Sequence, residues 1–294
     1  MRTDTQEVDN IIKEAEGRPI LIAGPTASGK SALALALAKV RGGTVVNADA
    51  LQVYARWRIL TARPTAAEME GVPHALYGHV GRDQPYSVGH WLDEVRPWLA
   101  APVAPVIVGG TGLYFSALTE GLAEIPAVPA AVRAEADAAD LATLIAGLDA
   151  ATRNRIDLRN RARVQRGWEV LRATGRGLAD WQAETGPPVL PPGDALALVI
   201  APERDWLAAR IDRRFDAMMA EGALEEVRAE LPHWVPAHPS ARAIGAPELV
   251  AHLRGEIGQE AAVEAAKSAT RDYARRQRKW FRKRMAAWRQ IVLP

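Results

Sequence analysis

Apolar residues in this chain fall into two alternating patterns. Short continuous runs occur at residues 19–23 (PILIA), 44–47 (TVVN), 105–108 (PVIV) and 195–202 (ALALVIAP). Runs of this length, bounded by Gly, Pro or Asn, predict buried strands. Between them, residues 31–40 (SALALALAKV) are rich in Ala and Leu and predict a helix. Residues 87–99 place Trp91, Val95 and Leu99 at helical spacing. Buried strands alternating with helices predict a parallel sheet covered on both faces. From Trp206 onward the pattern predicts helix to the end.

The texture changes between about residues 121 and 188. No strand pattern appears there, only Ala-, Leu- and Arg-rich helical segments. Pro126 and Pro129 mark the entry, and the GPPVLPPG stretch at 186–193 marks the exit. The expected organisation is an α/β core at 1–122 and 188–294, with a helical insertion at 123–187. No internal repeat or low-complexity tract is present.

Composition narrows the class. With 294 residues, 48% of them apolar, the chain can bury a large core. It has no cysteine, which excludes disulfides and thiolate metal sites and makes a reducing cytoplasm the expected location. The polar, acidic start (MRTDTQEVDN) lacks the basic and apolar regions of a signal peptide. No apolar run approaches the roughly 20 residues that span a bilayer, so no membrane is expected. The net charge is +2, but it is unevenly spread: residues 271–289 carry nine Lys/Arg and one acid, residues 151–176 carry eight Arg and two acids, and the remainder is strongly acidic. Two basic blocks on an acidic background suggest a polyanionic partner, although such runs also occur as plain solvated helix faces.

The chemistry begins at Gly24-Pro25-Thr26-Ala27-Ser28-Gly29-Lys30-Ser31. It fits G-x-x-x-x-G-K-[ST], with a strand before and a helix after it. Glycines let backbone N–H groups turn inward, the helix adds its positive end, Lys30 supplies a charge, and Ser31 offers a ligand to Mg²⁺. The expected fold is therefore α/β: a P-loop NTPase-like parallel sheet flanked by helices, with the helical insertion. The motif alone specifies phosphates and Mg²⁺. A hydrolase also needs an acid at the end of another strand, and only Asp49 is suitably placed.

Four stretches occur together and in order: GPTASGKS, NADALQVYARWRILTARPT (47–65), GGTGLYF (109–115) and RRQRKWFR (275–282). In this combination the chain resembles the tRNA dimethylallyltransferases, over nearly its whole length. The resemblance implies transfer of a five-carbon prenyl group from dimethylallyl diphosphate to adenine N6 in tRNA, 3′ of the anticodon. N6 is a poor nucleophile, so a base must take its proton, and other groups must hold the departing diphosphate. The resemblance makes Asp49 the base; a helix cap or Mg²⁺ ligand is the alternative. Gln52 would read the adenine edge, within a segment Asp49-Ala50-Leu51-Gln52 that faces the tRNA. Thr111 would bond a leaving phosphate oxygen, or cap a helix. Gly109, Gly110 and Gly112 would permit close backbone approach. Arg210 and Arg214, four apart on one helix face, would bind the diphosphate, or form a solvated face with Asp212 and Asp216.

The substrate adenosine must be flipped out of a stacked anticodon loop, which calls for basic surfaces and gap-filling groups. The resemblance places these at Arg133, Arg163 and Arg166 in the insertion, alongside Arg159 and Arg161. It adds Arg242-Ala-Ile-Gly245, and Arg275, Arg276, Gln277, Lys279 and Arg282 near the C-terminus. Trp280 and Phe281 would stack on bases or pack in the core, the commoner fate at helical spacing. The chain departs from the family pattern in its short insertion, in Ala162 where glutamine is usual, and in Ala246-Pro247 after the glycine. No Cys₂His₂ extension of the eukaryotic, zinc-bearing form is expected. A monomer is expected. Competing readings are prenyl transfer to free AMP, ADP or ATP, which needs no C-terminal basic block; a small-molecule P-loop kinase, which needs an arginine-bearing lid; and an RNA-binding protein with a structural phosphate loop.

Overall fold

The computed structural model describes residues 5–292; Met1–Asp4, part of the polar start, lie outside that range. The chain divides into two compact units, one of residues 1–119 with 189–294 and one of residues 120–188.

The first unit opens with α1 (Thr5–Ala15), β1 (Ile20–Ala23), α2 (Lys30–Arg41), β2 (Val45–Asn47), α3 (Ala66–Met69) and β3 (His74–Ala75). It continues with α4 (Val88–Leu99), β4 (Val106–Gly109) and α5 (Gly112–Glu120). The second unit holds α6 (Ala130–Ala138), α7 (Leu141–Ala146), α8 (Ala150–Arg155), α9 (Arg161–Thr174) and α10 (Leu178–Ala183). The chain then returns to the first unit through β5 (Leu196–Ile200), α11 (Arg204–Ala220), α12 (Ala223–Glu230), α13 (Ala246–Leu253), α14 (Gln259–Arg284) and β6 (Arg289–Ile291).

The described strands form one parallel sheet in the order β3-β2-β4-β1-β5-β6. Strand β1 is central, with Ile20 opposite both Val106 and Leu196. All four residues of β1 and of β4 are buried, as expected when helices cover both faces. One face packs Ile20, Ile22, Val106, Val108 and Leu198 against Leu33 and Leu37 of α2 and Ile11 of α1. A second core gathers Trp57, Leu60, Phe215, Leu224, Leu249 and Ala266, so α11 to α14 share one apolar interior.

Two strands escape the pattern. Residues from Trp206 on are not helical to the end, because β6 pairs with β5, with Leu198 opposite Arg289. Its sequence, RQI, has no apolar run; backbone pairing with β5 and burial of the single residue Ile291 hold it in the sheet. The two-residue β3 is too short to leave a pattern. Arg289 then pairs with Glu7 and Glu14 of α1, tying this strand to the first helix.

The second unit is helical throughout. Its core holds Ala136, Leu144 and Val164. Asp140, Asp149 and Asn160 cap α7, α8 and α9 through their side chains, which satisfies N–H groups that a short helix leaves open.

Candidate active site

Strand order reverses beside β1: β2 lies beyond β4 on one side, and β5 lies on the other. Open α/β sheets bind ligands outside the C-terminal strand ends at such a point. The segment found there is the glycine-rich loop between β1 and α2. Gly24 N–H donates to the Gly109 carbonyl at 3.3 Å. A Cβ on Gly24 would meet Ser28 Oγ at 2.8 Å, so glycine is required. Gly29 precedes α2 with φ 91°. Ala27 has φ 61°, held in the left-handed region by packing against Leu207, Ile211 and Ala274. The Ser28 hydroxyl is buried without a hydrogen-bond partner.

Two cations converge on this loop. Lys30 Nζ donates to the Pro25 carbonyl at 3.2 Å. Burial chiefly, opposed by Asp49 and aided by nearby Arg214, lowers its pKa to about 8. Arg214, from α11, donates to the Thr26 hydroxyl at 3.1 Å. Its guanidinium is also shifted down, first by burial and then by Arg210, with Asp49 again opposing. Two desolvated cations on this loop favour an anion that replaces their lost hydration. Ser31 opens the exposed side of α2's first turn.

Asp49 follows β2 and is held by its own strand. Asn47 is fully buried. Its Oδ1 accepts the Asp49 N–H at 2.9 Å, and its Nδ2 donates to the Asp49 and Leu76 carbonyls. Trp91 Nε1 donates to the Asn47 carbonyl at 2.7 Å. One carboxylate oxygen, Oδ1, accepts the Leu51 N–H at 3.0 Å. The other, Oδ2, faces Gly110 across a gap that an added Cβ would reduce to 3.2 Å. The Thr111 hydroxyl accepts the Ala50 N–H at 2.9 Å, tying the two turns together and leaving its own proton to donate. Tyr77, Tyr114 and Tyr273 have their hydroxyl pKa values raised by burial and then by the Asp49 charge, so they stay protonated beside it.

Thr26, Asp49, Thr61, Arg214, Thr270 and Tyr273 line an open pocket together with Leu51, Leu60, Ile211, Phe215, Met218 and Ile244. The pocket thus combines an acid, a cation and a substantial apolar surface.

Several expected site residues do other work. Gln52 Nε2 donates to the Thr61 and Ala62 carbonyls, so its amide nitrogen holds a turn instead of facing a base. Arg210 stacks over Trp206 at 5.0 Å, leaving Arg214 as the arginine on the loop. Gly245, expected at the RNA surface, is buried at φ 95° under Phe215 and Leu60. Gln277, expected at the same surface, is buried between the two glycine-rich turns. Gly109, Gly110 and Gly112 do permit close approach, but of protein groups: an added Cβ would collide with Ala48, Gln277 and Trp280 respectively. Phe281 is core, and Trp280 is half-buried against Gly112.

The outward basic residues are Arg242, Arg275, Arg276, Lys279 and Arg282, all exposed. The last four share the side of α14 opposite its buried stripe of Ala262, Ala266, Ala274, Gln277 and Phe281. In the second unit, Arg163 is exposed and Arg166 half-buried. Arg133 lies 3.9 Å from the buried Glu169, whose charge also acts on Arg166. Arg161 instead donates to three carbonyls at the end of α6 and is a helix cap.

Residues 52–284 match the family described as IPP transferase, and residues 18–77 match Isopentenyl transferase. A tRNA dimethylallyltransferase from Cereibacter sphaeroides is 70% identical over 94% of this chain and 90% of its own length. The crystal structure of a tRNA isopentenylpyrophosphate transferase from Bacillus halodurans aligns with TM-score 0.68 at 30% identity, covering 94% of this chain and 90% of the other. A eukaryotic dimethylallyltransferase solved acting on tRNA aligns with TM-score 0.80 at 25% identity, covering 94% and 74%.

Proposed function

The chain belongs to the IPP transferase family, and from that premise we propose how its site works on tRNA. It is a transferase that prenylates tRNA. The donor is dimethylallyl diphosphate, and the acceptor is N6 of the adenosine 3′ of the anticodon in tRNAs reading codons that begin with U. The protein acts as a monomer in the cytoplasm; no helix among the described residues is long and apolar enough to cross a membrane.

The observation that carries this reading is the pocket, which places Asp49 and Arg214 against an apolar wall of Leu51, Leu60, Ile211, Phe215, Met218 and Ile244. A five-carbon allyl chain finds in such a wall the apolar surface it needs. The diphosphate is held by the loop N–H groups, Lys30, Arg214 and Ser28, whose buried hydroxyl gains a partner. The adenine N6 lone pair attacks the allylic C1. The C1–O bond breaks, and its electron pair leaves on the diphosphate. The N6 proton passes to the Asp49 carboxylate. Thr111 donates its remaining proton toward the leaving phosphate, and Asn47 keeps Asp49 in place while charge moves.

Mg²⁺ fits the donor chemistry. No group of three or more His, Cys, Asp or Glu side chains among the described residues is arranged to hold a metal. The ion would therefore rest on the Ser31 hydroxyl, diphosphate oxygens and waters, a set that Mg²⁺ commonly accepts. Bound there, it neutralises charge on the departing diphosphate.

The test is incubation with dimethylallyl diphosphate, Mg²⁺ and unmodified tRNA, with free AMP in parallel, followed by nucleoside mass analysis. Modified adenosine in the tRNA alone is expected. A product from AMP alone would overturn the tRNA assignment. Asp49→Ala should lower kcat by about 10²–10⁴ and leave tRNA binding within twofold; lost tRNA binding would deny Asp49 the role of base.

A further inference from the structure

The glutamine in the RRQRKWFR stretch turns away from the basic face that surrounds it. Gln277 is only 6% exposed. Its Oε1 accepts the Thr26 N–H at 2.9 Å, and its Nε2 donates to the Gly110 carbonyl at 2.9 Å. One side chain therefore joins the phosphate loop to the second glycine-rich turn.

The geometry is chemically selective. The Thr26 N–H can only donate and the Gly110 carbonyl can only accept, so the amide has one permitted orientation. A carboxylate in its place would set oxygen against the Gly110 oxygen. A thioether would leave a buried N–H and a buried C=O unpaired. Glycine at 110 is part of the same arrangement, because an added Cβ would lie 2.3 Å from Gln277 Nε2. Thr26 is in turn gripped from its other end, where its hydroxyl accepts from Arg214.

We propose that Gln277 is a positioning residue that sets the spacing between the two turns cradling the donor diphosphate, acting through Thr26 and Gly110. This rests on the reading that the loop holds a diphosphate. It assigns the two faces of α14 separate tasks: the outer face meets RNA, and the inner face holds the cradle in register.

The test titrates inorganic diphosphate with Mg²⁺ into the full chain by calorimetry, and measures tRNA binding separately. Gln277→Met keeps length and removes the amide. It should weaken diphosphate binding about tenfold, leave tRNA affinity within twofold, and raise the donor KM more than it lowers kcat. Gln277→Glu should do the same, despite keeping an acceptor for Thr26. Gly110→Ala, with Gln277 intact, should lose a similar amount, and the double variant should lose no more than either single one, because both break one bridge. Unchanged diphosphate binding, or additive losses, overturns the proposal. Lost tRNA binding with diphosphate binding intact overturns it too, and returns Gln277 to the RNA surface. If Gln277→Met melts far below the parent, Gly110→Ala carries the decision. A parent chain that binds diphosphate but prenylates no tRNA sinks the proposed function while leaving this bridge standing.

Discussion

Lys30 gives the sharpest prediction, because its perturbation has a sign, a size and a pH window. In the ligand-free site, burial brings its pKa from 10.5 to about 8. A diphosphate supplies the charge that burial removed, so the bound pKa rises again. The donor therefore binds to the protonated ammonium and takes up a proton wherever the free amine is neutral. At pH 7 roughly 90% of free Lys30 is charged, and at pH 9.5 about 3%. The dissociation constant should rise about 30-fold between these values, or about 2 kcal/mol, and affinity should be lost as pH climbs through 8. Calorimetry with a thiolodiphosphate analogue of the donor, in two buffers of different ionisation enthalpy, reads both the affinity and nearly one proton taken up at pH 9. Lys30→Arg, which stays charged throughout, should flatten the curve and so remove the ligand's own titration from the comparison. A parent affinity that is level from pH 7 to 9.5, with no proton uptake, would refute a desolvated Lys30 as the diphosphate's partner.

Other outcomes follow from single contacts. Asn47→Ala removes the clamp on Asp49 and leaves the Asp49 N–H and the Asp49 and Leu76 carbonyls without their side-chain partner; a loss of about 1–3 kcal/mol in urea unfolding is expected, with kcat falling more than tRNA affinity. Gly245→Ala forces a side chain into φ 95°, with Phe215 2.9 Å away; it should cost about 1–3 kcal/mol, read in the same unfolding series, without changing the salt dependence of tRNA binding. Arg275, Arg276 and Lys279 changed together to Ala should lower the slope of log affinity against log salt by about 2, while inorganic diphosphate binding is unchanged.

The sheet was legible where sequence and burial coincide. Residues 20–23 and 106–109 are apolar because both faces are covered, and so their runs are unbroken. The strand RQI at 289–291 was not legible, since only Ile291 is buried and the rest of its hold comes from backbone pairing with β5 and from Arg289 meeting Glu7 and Glu14. The placement of Lys30, Asp49 and Thr111 was legible, because they follow β1, β2 and β4, whose ends any parallel sheet would align. The burial of Gln277 and Gly245 was not legible in their motifs, because a motif gives residue types and not the face they occupy. A signal existed for Gln277. Ala262, Ala266, Ala274, Gln277 and Phe281 follow helical spacing, which places the glutamine on the apolar stripe. Gln52 left no such trace, because its partners, Thr61 and Ala62, belong to an irregular turn.

The pairing of β1 with β5 has a consequence for how the protein can vary. Ile20 faces Leu196, so the ladder closes a loop of about 170 residues, and about 70 of them form the second unit. Chain-closure entropy grows only with the logarithm of length. Folding those residues into a short rigid link before closure changes its cost by about 0.5 kcal/mol. Lengthening or trimming the insertion is thus nearly neutral for the central sheet. Its size is free to vary, while the turns that carry Lys30 and Asp49 stay under separate constraint.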